Sequence, residues 1–280
     1  MKKKVLSIVI AFVATAATAQ ENSINGHEYV NLGLKSGTLW ATCNVGASNP
    51  EDYGEYYAWG ETTIETKEEY TWNDYKWCKG SEKTLTKYCS KSEYGDEGFT
   101  DDPTTLLPED DAATANWGGK WRMPTKADID ELLAQTTDEW TTVNGVKGHK
   151  FTAKNGSGNF IFFPSAGYKY SISSKLFDDG NGGICWSSSL NESNPAYAYY
   201  LVFNTDTDKG WYNVNRHNGP RQWGLSVRPV ISKDDISTGI EYNNRETITN
   251  NDWYSIDGKR LSGKPTQKGV YIVNGKKVVK

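Results

Sequence analysis

The sequence predicts an α+β fold in which helices pack on antiparallel sheet. Three observations carry that prediction: two regions of short strands and turns flank a helical middle, Gly and Asn clusters separate the strands, and strands do not alternate regularly with helices. From Asn25 to about Trp59, Tyr29, Leu32 and Leu34 suggest alternation, and Gly26, Gly33, Gly37, Gly46 and Gly54 punctuate it. Two helices are expected in the middle. In Pro108-Glu109-Asp110-Asp111-Ala112-Ala113, proline takes the first helical position and carboxylates face the positive end of the helix dipole. The second starts after Pro124, with Thr125 as N-cap, Asp128 three residues later, and Ile129, Leu132 and Leu133 at helical spacing. Strands return at Phe160–Phe163, Tyr199–Phe203 and Leu225–Val230. Between the first strands and the helices, Thr62 to Thr105 is polar and reads as a long surface insertion.

The chain opens with Lys2, Lys3 and Lys4, an apolar run from Val5 to Ala14, and a small-residue stretch ending Ala17-Thr18-Ala19. That is the three-part pattern of a secretory signal peptide over residues 1–19, and the apolar run is too short to span a bilayer. An extracellular or outer-surface location is therefore expected, with no membrane span. Charge then restricts the partners. Residues 239 to 280 hold eight Lys or Arg against four Asp or Glu, which leaves residues 20 to 238 with a net charge of −11. A strongly acidic domain disfavours nucleic acid and anionic membrane as ligands, and the change of sign places a domain boundary near Ser237. Eleven Trp and seventeen Tyr against two Met suit a β-rich domain or a surface that stacks on ligands.

Cys43, Cys78, Cys89 and Cys185 are an even number in an exported chain, so disulfides are permitted in any of three connectivities. The shortest loop joins Cys78 to Cys89, and that pair is expected to staple the polar insertion. Without a CxxC, and with His27, His149 and His217 far apart, neither a zinc site nor a Cys-His nucleophile has local support. The carboxylates Asp101, Asp102, Glu109, Asp110 and Asp111 read as helix caps and solvated groups, in preference to a calcium site or an acid-base pair, and Glu61, Glu68 and Glu69 as a solvated face. Gly180-Asn181-Gly182-Gly183 lacks the ending of a phosphate loop and reads as a turn. No cofactor and no catalytic residue is expected.

Seven motifs follow one another in a specific order. They are Leu39-Trp40-Ala41-Thr42-Cys43-Asn44-Val45-Gly46-Ala47, Tyr53-Gly54-Glu55-Tyr56-Tyr57-Ala58-Trp59-Gly60-Glu61, Asp110-Asp111-Ala112-Ala113, Trp121-Arg122-Met123-Pro124-Thr125, Phe163-Pro164-Ser165-Ala166-Gly167, Trp186-Ser187-Ser188-Ser189 and Gly224-Leu225-Ser226-Val227-Arg228-Pro229-Val230. The series resembles the Fibrobacter succinogenes major paralogous domain of exported Bacteroidetes proteins, over a domain placed at residues 22–236. That family is similar in turn to the C-type-lectin-like fold of formylglycine-generating enzymes and of the variable proteins of diversity-generating retroelements. The resemblance implies a C-type-lectin-like domain with a binding role. It departs at Cys185, where relatives carry an aromatic residue. In residues 237–280, Trp253-Tyr254-Ser255-Ile256-Asp257-Gly258-Lys259 and Gly269-Val270-Tyr271-Ile272-Val273-Asn274-Gly275-Lys276-Lys277 resemble a type IX secretion tail, which implies the secretion machinery as a partner and a pair of short strands as structure.

The richest candidate surface is the stretch from Asn191 to Trp223. Asn191, Asn194, Tyr197, Tyr199, Asn204, Trp211, Asn213, Asn215, His217 and Trp223 combine amides, which both donate and accept, with flat aromatic rings. In the retroelement relatives, the stretch before the final motif faces the ligand. Tyr200, Val202 and Trp186 are expected inside, and Arg122 and Arg228 are expected to hold buried hydrogen bonds. The resulting expectation is a non-enzymatic protein that binds an extracellular glycan or protein. Its rivals are a relative of the formylglycine-generating oxidases, which need a late cysteine pair where only Cys185 lies, and an adhesin or fimbrial subunit.

Overall fold

The structure, a computed structural model, describes residues 22–64, 69–171, 176–205, 214–237, 253–255, 261, 264–273 and 276–279. The expected signal peptide, and Glu68, lie outside them. Among the described residues, no helix is long and apolar enough to cross a membrane. Strands dominate and all named strand pairs are antiparallel, joined by three helices, which is an α+β fold.

The chain divides into two compact units, one ending at Lys233 and the other starting at Asp234. The first unit begins with β1 (Ser23–Ile24), β2 (His27–Val30) and β3 (Thr38–Ala41). After a long connection come α1 (Ala112–Trp117) and α2 (Lys126–Gln135), then the meander β4 (Thr136–Val143), β5 (Val146–Ala153) and β6 (Phe160–Pro164). A second meander follows, β7 (Gly182–Leu190), β8 (Tyr197–Asn204) and β9 (Asn215–Pro220). The strand β10 (Val230–Ser232) then returns to pair with β3, and completes a four-stranded sheet in the order β1-β2-β3-β10. The helix α3 (Lys233–Ser237) follows it. In the second unit, β11 (Trp253–Ser255), β12 (Val270–Val273) and β13 (Lys276–Val279) form an antiparallel sheet in sequence order, one strand more than the expected pair.

Local chemistry sets the two main helices. At α2 the expected cap is present in full: Thr125 accepts from the Asp128 N–H, and the Asp128 carboxylate accepts from the Thr125 N–H at 2.8 Å. Ile129 and Leu132 are fully buried and pack with Phe151, Phe163, Leu201 and Phe203, which joins the helix to both meanders. Each such side chain contributes roughly 1.5–3 kcal/mol by leaving water. The first helix starts later than expected. Pro108 opens a short 3-10 turn, Pro108–Asp110, and α1 begins only at Ala112, because Asp111 holds extended backbone and spends its carboxylate capping the Thr114 N–H at 2.9 Å.

The final motif forms less strand than expected. Leu225 and Ser226 make single bridges to Tyr57 and Cys185, and regular pairing starts only at Val230, after Pro229, which has no N–H to give. Within that motif, Arg228 is fully buried. Its Nε donates to Asn44 Oδ1 at 2.8 Å, and one terminal nitrogen donates to the carbonyls of Ala41, Thr42 and Phe162. Arg122 instead pairs with Asp128 at 2.7 Å and is more than one third exposed.

The described part of the segment from Thr62 to Thr105, residues 62–64 and 69–105, is not a surface insertion. Tyr70, Tyr75, Leu85, Tyr88 and Cys89 are buried, and Tyr75 and Tyr70 donate their hydroxyls to the carbonyls of Trp59 and Tyr56 at 2.7 Å. Polar composition misled because phenol rings fill the core while their hydroxyls satisfy loop carbonyls. The expected Cys78–Cys89 disulfide is also absent: all four cysteines are thiols. The Cys78 Sγ donates to the Trp72 carbonyl at 3.0 Å and the Cys89 Sγ to the Lys91 carbonyl at 3.1 Å, so each thiol serves its own turn.

Gly182 and Gly183 are not turn residues but the start of β7, while Gly180 alone keeps the left-handed conformation, with φ of 74°. A Cβ on Gly183 would lie 2.4 Å from the Phe203 ring and 3.0 Å from the Pro164 carbonyl. Gly183→Ala is therefore expected to cost about 1–3 kcal/mol by overpacking, read as a lower urea midpoint at unchanged slope. An unchanged midpoint would show that Phe203 has room to move.

Candidate functional site

The period of two along β8 decides which side chains can meet. Tyr200, Val202 and Asn204 fall on one face, and Tyr197, Tyr199, Leu201 and Phe203 on the other. Across the sheet, Ile184 and Gly182 of β7 sit opposite Val202 and Asn204, while His217 and Asn215 of β9 sit opposite Tyr200 and Val202. The first face lines a cavity of about 310 Å³.

The opposite wall of the cavity comes from the chain after Gly167. Two backbone pairings build it: Tyr168 exchanges hydrogen bonds with Phe177 at 3.0 and 2.9 Å, and Lys169 with Gly224 at 2.9 Å in both directions. The second pairing carries Trp223 to Tyr168, with ring centroids 5.4 Å apart and planes at 29°. Tyr170 joins them at 5.7 Å from Tyr168 and 6.2 Å from Trp223, and Phe177 packs on Tyr170 at 4.2 Å. Offset stacks of this kind are the favoured arrangement of aromatic rings. Gly219 allows the wall to close on the strand face. A Cβ there would lie 3.0 Å from the Tyr200 ring and 3.2 Å from the Trp223 ring.

The lining is therefore aromatic and apolar, with few polar groups. Tyr168, Tyr200 and Trp223 supply rings, Ile184 and Val202 aliphatic surface, and Asn204 an amide. Asp178 supplies a carboxylate from an exposed position with φ of 56°, the left-handed conformation that Asp tolerates. No Lys or Arg is among the described lining residues. Lys169, the neighbour of Tyr168 in sequence, places its ammonium 4.9 Å from the centre of the Tyr56 ring and 5.9 Å from that of Tyr70.

The candidates from Asn191 to Trp223 are not one face. Asn204 and Trp223 line the cavity, and Asn215 and His217 stand on the same sheet face beside it. Tyr199 lies on the reverse, where its ring is flanked by Arg216 at 4.8 Å and Lys126 at 5.3 Å, and Tyr197 shares that face. Asn191 and Asn194 build the β7–β8 turn: the Asn191 Oδ1 accepts from the N–H of Ser193 and of Asn194, and the Asn194 Oδ1 from that of Ala196. Trp211 and Asn213 lie outside the described residues. Sequence reasoning passed over Tyr168, Tyr170 and Asp178. The alternation Tyr168-Lys169-Tyr170 directly after Phe163-Pro164-Ser165-Ala166-Gly167 was the available signal.

Of the carboxylates read as helix caps and solvated groups, Asp111 is a cap, while Asp110, Asp101 and Glu61 hold structural contacts where solvation was expected. Asp110 is buried, pairs with the Lys87 ammonium and accepts the Tyr88 hydroxyl at 2.6 Å. Asp111 is buried too and accepts the Met123 N–H at 2.8 Å. Burial raises its pKa, opposed by the hydrogen bonds from Thr114 and Met123. Asp101 accepts the Tyr88 N–H at 2.8 Å, and buried Glu61 accepts the Lys76 N–H at 3.0 Å. Among the described residues, no three His, Cys, Asp or Glu side chains gather as metal ligands would. Cys185 is buried against the core, and burial pushes its thiol up to about 12. Compared with known proteins, the chain matches no family model, no curated protein and no solved structure.

Proposed function

We propose that the chain is an exported, non-catalytic binding protein with a C-type-lectin-like domain of the Fibrobacter succinogenes major paralogous kind and a sorting tail. In this reading, its extracellular ligand sits in the cavity between β8 and the Tyr168–Trp223 wall. One observation carries the reading: rings from three separated parts of the chain, Tyr168, Tyr200 and Trp223, converge on one concavity with an amide and a carboxylate among its lining. Small-molecule sites have this composition, mostly apolar with a few placed polar groups, and this size range. The order of the seven sequence motifs supports the family, and the basic N-terminus with its apolar run supports export. The rival oxidase needs an activated thiol, and Cys185 is held in the opposite condition, as a buried neutral group.

The test is to screen the mature chain on glycan and protein arrays and to repeat each hit with Trp223→Ala and Tyr199→Ala. A ring that anchors a ligand contributes about 2 kcal/mol, so Trp223→Ala is expected to weaken binding about 30-fold, with Tyr199→Ala within a factor of about three. Thermal melts of both variants separate lost binding from lost folding. Full affinity in a folded Trp223→Ala, with loss in Tyr199→Ala, would move the ligand to the reverse face of β8.

A further inference from the structure

We infer that the cavity selects an organic cation, an alkylated ammonium group, over a neutral ligand. The inference rests on the proposed binding role of that cavity and names the ligand's chemistry. Three observations point to a cation. The described lining contains one charged side chain, the carboxylate of Asp178, and no Lys or Arg. Tyr168, Tyr200 and Trp223 are among the lining residues, and the face of an aromatic ring carries the negative end of a quadrupole that attracts cations within about 6 Å. Lys169, next to Tyr168 in the wall, has its ammonium 4.9 Å from the centre of the Tyr56 ring and 5.9 Å from that of Tyr70, the same pairing of cation and ring within this domain.

Charge on the larger scale agrees. Residues 20 to 238 carry a net charge of −11, so the domain draws cations toward its concavities and repels anions. The apolar surface of Ile184 and Val202 narrows the class further. A bare ammonium or a metal ion would lose its hydration against such a surface, whereas methyl groups on nitrogen are apolar and still spread the positive charge to their hydrogens. An anionic or phosphorylated ligand would meet Asp178 with no compensating base among the described lining residues.

The experiment titrates the mature chain with choline chloride and, separately, with 3,3-dimethylbutan-1-ol, its uncharged isostere of the same shape, by calorimetry. Choline is expected to bind saturably and the isostere about 30-fold more weakly or not at all. Asp178→Asn is expected to weaken choline about fivefold and leave the isostere unchanged, while Trp223→Ala weakens both. Phosphatidylcholine vesicles and a trimethyllysine peptide serve as parallel arms, and the tighter of these and free choline names the natural source of the headgroup. Equal binding of choline and the isostere overturns the inference, as does binding of no arm. A neutral array hit that Trp223→Ala abolishes, alongside silent choline arms, would overturn the cation while leaving the cavity as the binding site. Array hits indifferent to Trp223→Ala would remove the cavity itself.

Discussion

Replacing Arg221 by methionine is expected to destabilise the first unit by about 4 kcal/mol, and to loosen the Trp223 wall with it. Arg221 is fully buried, and its guanidinium donates to the Tyr75 hydroxyl at 2.8 Å and to the carbonyls of Pro195, Lys87 and Tyr88 at 2.9, 3.0 and 3.1 Å. All four acceptors are neutral, and the plane of charge lies 4.8 Å from the centre of the Trp59 ring. Methionine keeps much of the volume but leaves four buried oxygens short of a donor, each costing on the order of 1–3 kcal/mol. Relief from burying a cation offsets part of this, which is why the expected total is about 4 and not the full sum. For a unit of this size the melting temperature should fall by roughly 10 °C. Urea unfolding checks it, and a variant within about 1 kcal/mol of the parent would show that those oxygens find water or other donors. Because Arg221 also fixes the turn Pro220–Gly224, the variant should lose ligand affinity at temperatures where it is still folded.

Arg221 also marks the limit of sequence reading. Arg228 was legible as a buried hydrogen-bonding group because it stands inside a motif, and the structure gives it three backbone carbonyls and Asn44. Arg221 has no local signature: its partners lie in the segment from Lys87 to Tyr88, at Tyr75 and at Pro195, which only the fold brings together. The same distinction separates the helices. The Thr125–Asp128 cap is a local device and was read correctly, whereas α1 was expected to start at Pro108, which opens only a 3-10 turn before Asp111 caps the helix. The hairpin β4–β5 had a local signal that went unused. Asn144-Gly145, with φ of 47° and 86°, is the turn that two-residue hairpins favour.

For the candidate cavity, composition singled out a stretch that supplies two of the lining residues, Asn204 and Trp223, but not the phase of the strand. Tyr199 and Tyr200 are neighbours in sequence and point to opposite faces of β8, so a list of aromatic and amide residues necessarily mixed the two. Trp223 and Asn204 were legible because they lie within the aromatic and amide-rich stretch. Tyr168 was not, since it reaches Trp223 only through the Lys169–Gly224 pairing, a contact between distant parts of the chain. The insertion failed for a different reason: Tyr70, Tyr75 and Tyr88 are core residues whose polar neighbours disguised them.

The second large effect belongs to Asp128, whose replacement by asparagine is expected to cost about 3 kcal/mol at neutral pH and almost nothing in strong acid. One carboxylate here serves four partners. It accepts from Arg122 at 2.7 Å, from the Thr38 hydroxyl at 2.9 Å, and from the Thr125 N–H and hydroxyl at 2.8 Å, so it ties β3 to the start of α2. Burial alone would raise its pKa, but the Arg122 guanidinium and the Thr125 donors outweigh burial and hold it below the ordinary value of 3.8. A depressed folded pKa means that the unfolded chain binds the proton first. The stabilisation is therefore present above the unfolded value and is lost as pH falls through the folded one. Asparagine keeps the shape, yet one of its two heads is a donor facing donors, and Arg122 loses its counter-charge. Arg122 is 38% exposed, so water screens part of that loss, which sets the expectation at the lower end of the range for broken buried pairs. Urea midpoints of parent and variant should differ most near pH 7 and converge only as the pH falls below 3.8 and on through the folded pKa of Asp128. A gap that stays constant through that range would mean that the cap hydrogen bonds, and not the charge, hold this corner together.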